Sequence, residues 1–154
     1  MKRFLIRFLL IGTCLALLFS LSACAGKAEQ ENALYECSES ILSAPTAELL
    51  EDFLGSELLQ LELVTSSDSG YDRAHVYDFS KHPAYQELLK RTDLLDAMES
   101  RAKQLQEKLQ SGDGLTSGDG ALALLLCDET VKPLILAKQE HYPALSGALA
   151  QLGN

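Results

Sequence analysis

Four side chains in the middle of the chain have the types and spacing of a metal site. Asp72, His75, Asp78 and His82 recur every three or four residues. On one continuous helix that spacing puts them on a single face, where carboxylate oxygen and imidazole nitrogen can ligate zinc or a similar ion. With Asp72, His75 and Asp78 as ligands, the chemistry is metal-dependent hydrolysis. Against a continuous helix stands Ser80 to Pro83, where proline ends the run and separates His82. The competing reading is a solvated polar face opposite Tyr71, Ala74 and Phe79.

Other constellations carry less. The Asp113–Gly120 segment invites comparison with a calcium loop, but the third and twelfth positions are Leu115 and Leu124, where an EF-hand needs oxygen ligands. A glycine-rich turn, with Asp119 or Ser117 capping the next helix, accounts for it better. Ser100-Arg101-Ala102-Lys103 has the Ser-x-x-Lys spacing of a nucleophile motif, without its Lys-Thr-Gly companion and inside a regular helix. His141 begins a helix approach at His141-Tyr142-Pro143 and has no partner visible in sequence. There is no His-Glu-x-x-His, Gly-x-Ser-x-Gly or phosphate loop. No cofactor is expected, and no catalytic residue is assigned.

Four cysteines remain to be placed: Cys14, Cys24, Cys37 and Cys127. Outside the cytoplasm Cys37 and Cys127 can oxidise to one another. That bond would close a long loop and contribute about 3–4 kcal/mol. Alternatively Cys127, which follows a leucine-rich run, is a small buried hydrophobe.

The N-terminal stretch has another use for a thiol. Lys2, Arg3 and Arg7 precede an apolar run from Phe8 to Phe19, and small residues lead to Cys24. A positive head, an apolar middle and a small-residue exit are the parts of a secretory signal. Residues 8–23 would span about 24 Å as a helix, short of the roughly 30 Å hydrocarbon core. Leu21-Ser22-Ala23-Cys24 resembles the lipobox of bacterial lipoproteins. That resemblance implies a diacylglyceryl group on the Cys24 thiol and cleavage between Ala23 and Cys24. Two acyl chains would then hold the protein on the extracytoplasmic face of a bacterial membrane.

The expected organisation is a signal over 1–23, a lipidated cysteine and polar tether over 24–38, and a domain over 39–154. Removing residues 1–23 from the 154 leaves 131, enough for one domain with a core. It also removes three positive charges and no acids, taking the net charge from −9 to −12. Eleven acids and no Lys or Arg lie between Ala28 and Asp72. Such a surface repels nucleic acid and anionic lipid headgroups, and no nucleic-acid partner is expected.

The domain reads as helices with almost no strand signal. Thr46 is expected to cap a helix whose apolar positions are Leu49, Leu50, Phe53 and Leu54. Leu58, Leu59, Leu61 and Leu63 follow Gly55, and helix is favoured there because no second strand is present to pair. Thr65 to Gly70 reads as a loop, and Tyr71 to Phe79 as a short helix. Another helix starts at Pro83, with Tyr85, Leu88 and Leu89 inward. Thr92 is expected to cap the longest helix, in which Leu95, Met98, Ala102, Leu105 and Leu109 form the apolar stripe. Two Ser-Gly-Asp-Gly units then force a turn. Ala121 to Leu126 should be a buried helix, Thr130 should cap another, and Pro143 starts a last one weakened by Gly147. The expectation is an all-α fold, a small irregular bundle of about six or seven helices.

Pro45-Thr46, Glu48-Leu49-Leu50, Gly70-Tyr71-Asp72 and the Glu87–Asp93 run also resemble a pattern in small exported helical proteins of Gram-positive bacteria. That resemblance implies an exported helical domain and assigns no chemistry. The function expected from all of this is a lipid-anchored, non-enzymatic binding or interaction module with a protein or peptide partner. A cell-envelope metal-dependent hydrolase using Asp72, His75 and Asp78 is the alternative.

Overall fold

The computed structural model describes residues 32–67 and 78–153. Residues 32–36 belong to an N-terminal unit and make one helical turn, with the Tyr35 and Glu36 amides donating to the Asn32 and Ala33 carbonyls. The chain from Cys37 onward is a second unit.

That second unit is all-α. Its described residues hold eight α-helices and no strand: α1 (Glu39–Leu42), α2 (Thr46–Leu54), α3 (Glu57–Ser67), α4 (Pro83–Leu88), α5 (Leu94–Ser111), α6 (Ser117–Cys127), α7 (Val131–Ala137) and α8 (Pro143–Leu152). A single 3₁₀ turn, Phe79–Lys81, precedes α4. None of the described helices is long and apolar enough to cross a membrane. The helix count exceeds six or seven because α1 is a separate short piece, while the break at Gly55 and the helix after it are as expected.

The leucine pattern decides what is buried. α5 is 18 residues, about 27 Å of helix, and buries Leu95, Met98, Ala102 and Leu105 on one stripe. It packs most closely on α8 and also meets α2. A Cβ at Gly147 would meet the side-chain amide of Gln106, which would have to swing aside. α6 carries Ala121, Leu122, Leu125 and Leu126 into the same core. It touches α2, α3, α7 and α8. Leu58 and Leu59 of α3 are fully buried, while Leu61 and Leu63 are half-buried. That is helical phasing, since a strand would bury alternate residues. Thr65 to Ser67, expected as loop, continue α3.

Several helix starts differ from expectation, because the expected caps are committed elsewhere or replaced by other residues. Thr46 is inside α2, and its hydroxyl donates to Asp93 Oδ1 at 2.7 Å. That contact occupies the Asp93 carboxylate, and α5 begins without a side-chain cap from Asp93 or from the exposed Thr92. α7 is capped not by Thr130 but by Asp128, whose Oδ1 accepts from the Thr130 and Val131 amides at 2.9 and 3.0 Å. α8 is capped from another helix. Glu99 of α5 accepts from the Ala144 and Leu145 amides, each at 2.9 Å. Arg91 does the converse, donating to the last carbonyl of α1, Leu42, at 2.7 Å.

Candidate functional site

The metal reading is only partly covered by the described residues. Asp72 and His75 lie outside them, as do Ala23 and Cys24. Asp78 is described and exposed, and its carboxylate accepts from the Ser80 amide and hydroxyl and pairs with Lys81 at 3.5 Å. The Ser80 hydroxyl, more than any other contact, holds it below the usual carboxylate range. His82 is buried, separated from Asp78 by the 3₁₀ turn. Its Nδ1 accepts from the Ala84 amide at 3.2 Å, and its ring lies 5.4 Å from that of Phe53. Burial pushes its pKa down, against the opposing pull of Asp52. His82 is thus a helix cap in an aromatic cluster with Phe53, Phe79 and Tyr85. Among the described residues no group of three or more His, Cys, Asp or Glu is placed to hold a metal.

The two cysteines of the domain are both free thiols. Cys37 precedes α1, half-buried against the core, and burial followed by the nearby Asp52 charge raises its pKa. A raised pKa lowers the share of thiolate, the nucleophilic form. Cys127, read either as a disulfide partner of Cys37 or as a small buried hydrophobe, is exposed at the end of α6. Ser100 is exposed on α5, and its hydroxyl bonds back to the Asp96 carbonyl, the ordinary use of a helical serine. His141 lies exposed in the turn before α8.

The strongest polar constellation is where α5 meets the start of α6. Thr116 caps α6, its Oγ1 accepting from the Asp119 amide at 3.3 Å. Asp119 answers, Oδ2 accepting from the Thr116 amide at 2.8 Å and its hydroxyl at 2.6 Å. That reciprocal pair is a capping box. Lys108 Nζ adds a third donor to the same oxygen at 2.6 Å. The other oxygen, Oδ1, faces Arg101 Nη1 at 3.3 Å, and Arg101 Nε in turn lies 3.1 Å from Glu51 of α2. Neither Asp119 Oδ1 nor Arg101 Nε has an aligned hydrogen bond, so charge alone holds those two contacts.

Asp119 has no solvent-accessible surface. Burial alone would raise its pKa, but the Lys108 and Thr116 hydrogen bonds outweigh that, and it falls to about 2. A carboxylate ionised so strongly is a poor proton acceptor near neutrality. The cluster therefore ties α2, α5 and α6 together around a carboxylate sealed from solvent. The Thr116-x-x-Asp119 spacing is a capping-box signature visible in the sequence. Lys108 and Arg101 leave no comparable mark, because they reach Asp119 only through the fold.

A second carboxylate is engaged similarly. Asp128 Oδ1 accepts the Tyr85 hydroxyl at 2.7 Å while capping α7. Burial, and then that carboxylate, push Tyr85 up to about 12. Comparison with protein-family models, curated proteins and solved structures finds no match to this chain.

Proposed function

We propose that this chain is a lipid-anchored protein on the extracytoplasmic face of a bacterial membrane, and that its helical domain is a non-enzymatic binding or interaction module. The observation that carries the reading is Leu21-Ser22-Ala23-Cys24 after an apolar run with Lys2, Arg3 and Arg7 at its head. The Cys24 thiol takes the diacylglyceryl group, and cleavage after Ala23 frees its amine. One acyl chain binds a bilayer marginally, and the second makes the attachment stable. The domain's chemistry is compatible with binding. Asp119, Asp128, Glu99 and Asp93 each cap a helix, pair with a cation or accept a hydroxyl.

Intact-protein mass spectrometry of the chain purified from membranes, with alkynyl-palmitate labelling, tests the anchor. The expected protein begins at Cys24 and carries acyl mass, and Cys24→Ser removes label and membrane fractionation together. Retention of Met1, or label that survives Cys24→Ser, sinks the reading. Crosslinking in intact cells followed by recovery from solubilised membranes tests the binding role. A reproducible protein partner is expected, and repeated recovery of none above control counts against it.

A further inference from the structure

α7 turns apolar side chains in two directions. Val131 and Ile135 are fully buried against α6 and α8. The opposite face is apolar too. At about 100° per residue it runs through Leu136, Pro133, Ala137 and Leu134, all exposed. Leu134 and Leu136 are 43 % and 48 % exposed, and Leu115 is the other large exposed apolar side chain. Lys132 stands at one edge of this arc, and Lys138 follows directly past the C-terminal end of α7; both are exposed.

Charge sets this face apart from the rest of the domain. Lys81, Lys90, Arg91, Arg101 and Lys108 each pair with an acid. Of the lysines and arginines among the described residues, Lys103, Lys132 and Lys138 are without an ion pair, and two of these three lie on or directly after α7. An apolar strip edged by lysines is the pattern of a helix lying in a membrane interface, where the long stems follow the apolar surface and the ammoniums reach phosphate. Glu129 and Glu140 occupy the turns at either end, so the apolar arc supplies the attraction and the lysines set its depth.

We propose that the outward face of α7 rests in the headgroup region of a phospholipid bilayer, with Leu134 and Leu136 entering the acyl boundary and Lys132 and Lys138 meeting the phosphates. The inference rests on the Cys24 anchor, because so short a helix binds a bilayer weakly by itself. Cys37 is thirteen residue steps from Cys24, with twelve residues between, which holds the start of the domain within about 45 Å of the membrane whatever path the chain takes. At such range the local concentration of bilayer is high enough for a weak face to stay docked.

The chain has no tryptophan, so one introduced indole is an unambiguous probe. Full-length Leu136→Trp and Gln110→Trp, the latter exposed on α5, are purified from membranes. Each is reconstituted in vesicles of three parts phosphatidylcholine to one part phosphatidylglycerol, with and without brominated acyl chains. Circular dichroism confirms that both fold. Emission from Leu136→Trp should move to shorter wavelength and be quenched several-fold more than that from Gln110→Trp. Adding Lys132→Gln and Lys138→Gln should reduce that quenching. Flotation with the vesicles and equal quenching at both positions would overturn the α7 face and leave the anchor standing. Loss of flotation would overturn the anchor and this inference with it. A blue shift without vesicles that grows with protein concentration would assign the face to a second copy and overturn the lipid contact. Quenching unchanged by the lysine substitutions would overturn the phosphate contacts.

Discussion

Ser111-Gly112-Asp113-Gly114 and Ser117-Gly118-Asp119-Gly120 are the same four residues, six positions apart. The first ends α5. Gly112 turns to a φ of 74°, and the Gly112 and Asp113 amides both donate to the Lys108 carbonyl. All four residues are exposed, and the Asp113 carboxylate does no more than accept from the Ser111 hydroxyl. The second opens α6. Its four residues are helical, and Asp119 is sealed from solvent. Neighbours make the difference. The first copy follows the last turn of an amphipathic helix, where a left-handed glycine ends the run at no steric cost. The second follows Thr116, whose hydroxyl starts a helix, and it faces Arg101 and Leu63 across the glycines Gly118 and Gly120. A tetrapeptide of this composition has no structure of its own. Its context decides whether it stops a helix or begins one.

Substitution should separate the copies most at the aspartates. Asp119→Ala leaves Lys108 and Arg101 facing an emptied, enclosed site and should cost about 3–5 kcal/mol, whereas Asp113→Ala should stay within about 0.5 kcal/mol. Urea unfolding of both variants checks this, and equal losses would erase the distinction. Acid sharpens it. The Asp119 pKa in the fold, about 2, lies below the ordinary value near 3.9 for an unfolded chain. Its contribution is therefore complete above about pH 4 and is lost as pH falls towards 2. Stability measured across that range should lose part of its slope in Asp119→Asn and keep it in Asp113→Asn.

The glycines of the first copy offer a finer contrast. A Cβ at Gly112 or at Gly114 meets nothing within 4 Å, yet only Gly112 has a positive φ. Gly112→Ala should destabilise by about 1–2 kcal/mol through backbone strain alone. Gly114→Ala should stabilise by about 0.5 kcal/mol, by restricting the unfolded chain. Thermal melts of the pair give the two signs directly, and a shared sign would show that the turn is not held as described.

The fold class was readable because α5 repeats apolar residues at three and four and nearly every other helix carries a leucine pair. Met98, Ala102 and Leu105 are fully buried, as that period requires. Helix starts were less readable. Thr46, Thr92 and Thr130 have the right type for caps, but type is only half of a cap. The hydroxyl must also be free, and Thr46 is committed to Asp93. The residues that serve instead, Asp128 and Glu99, sit outside the first turn or on another helix. Cys127 misled for a related reason. It ends a leucine run but falls on the face of α6 that the core does not cover. The Asp119 cluster was half legible, its capping box in the local spacing and its cations only in three dimensions.

The Glu99 contact bears on kinetics. The amides it satisfies lie 45 and 46 positions downstream, so α8 gains those first-turn acceptors only after a long segment has come back on itself. Loop closure grows costlier with separation and is met before the contacts that reward it.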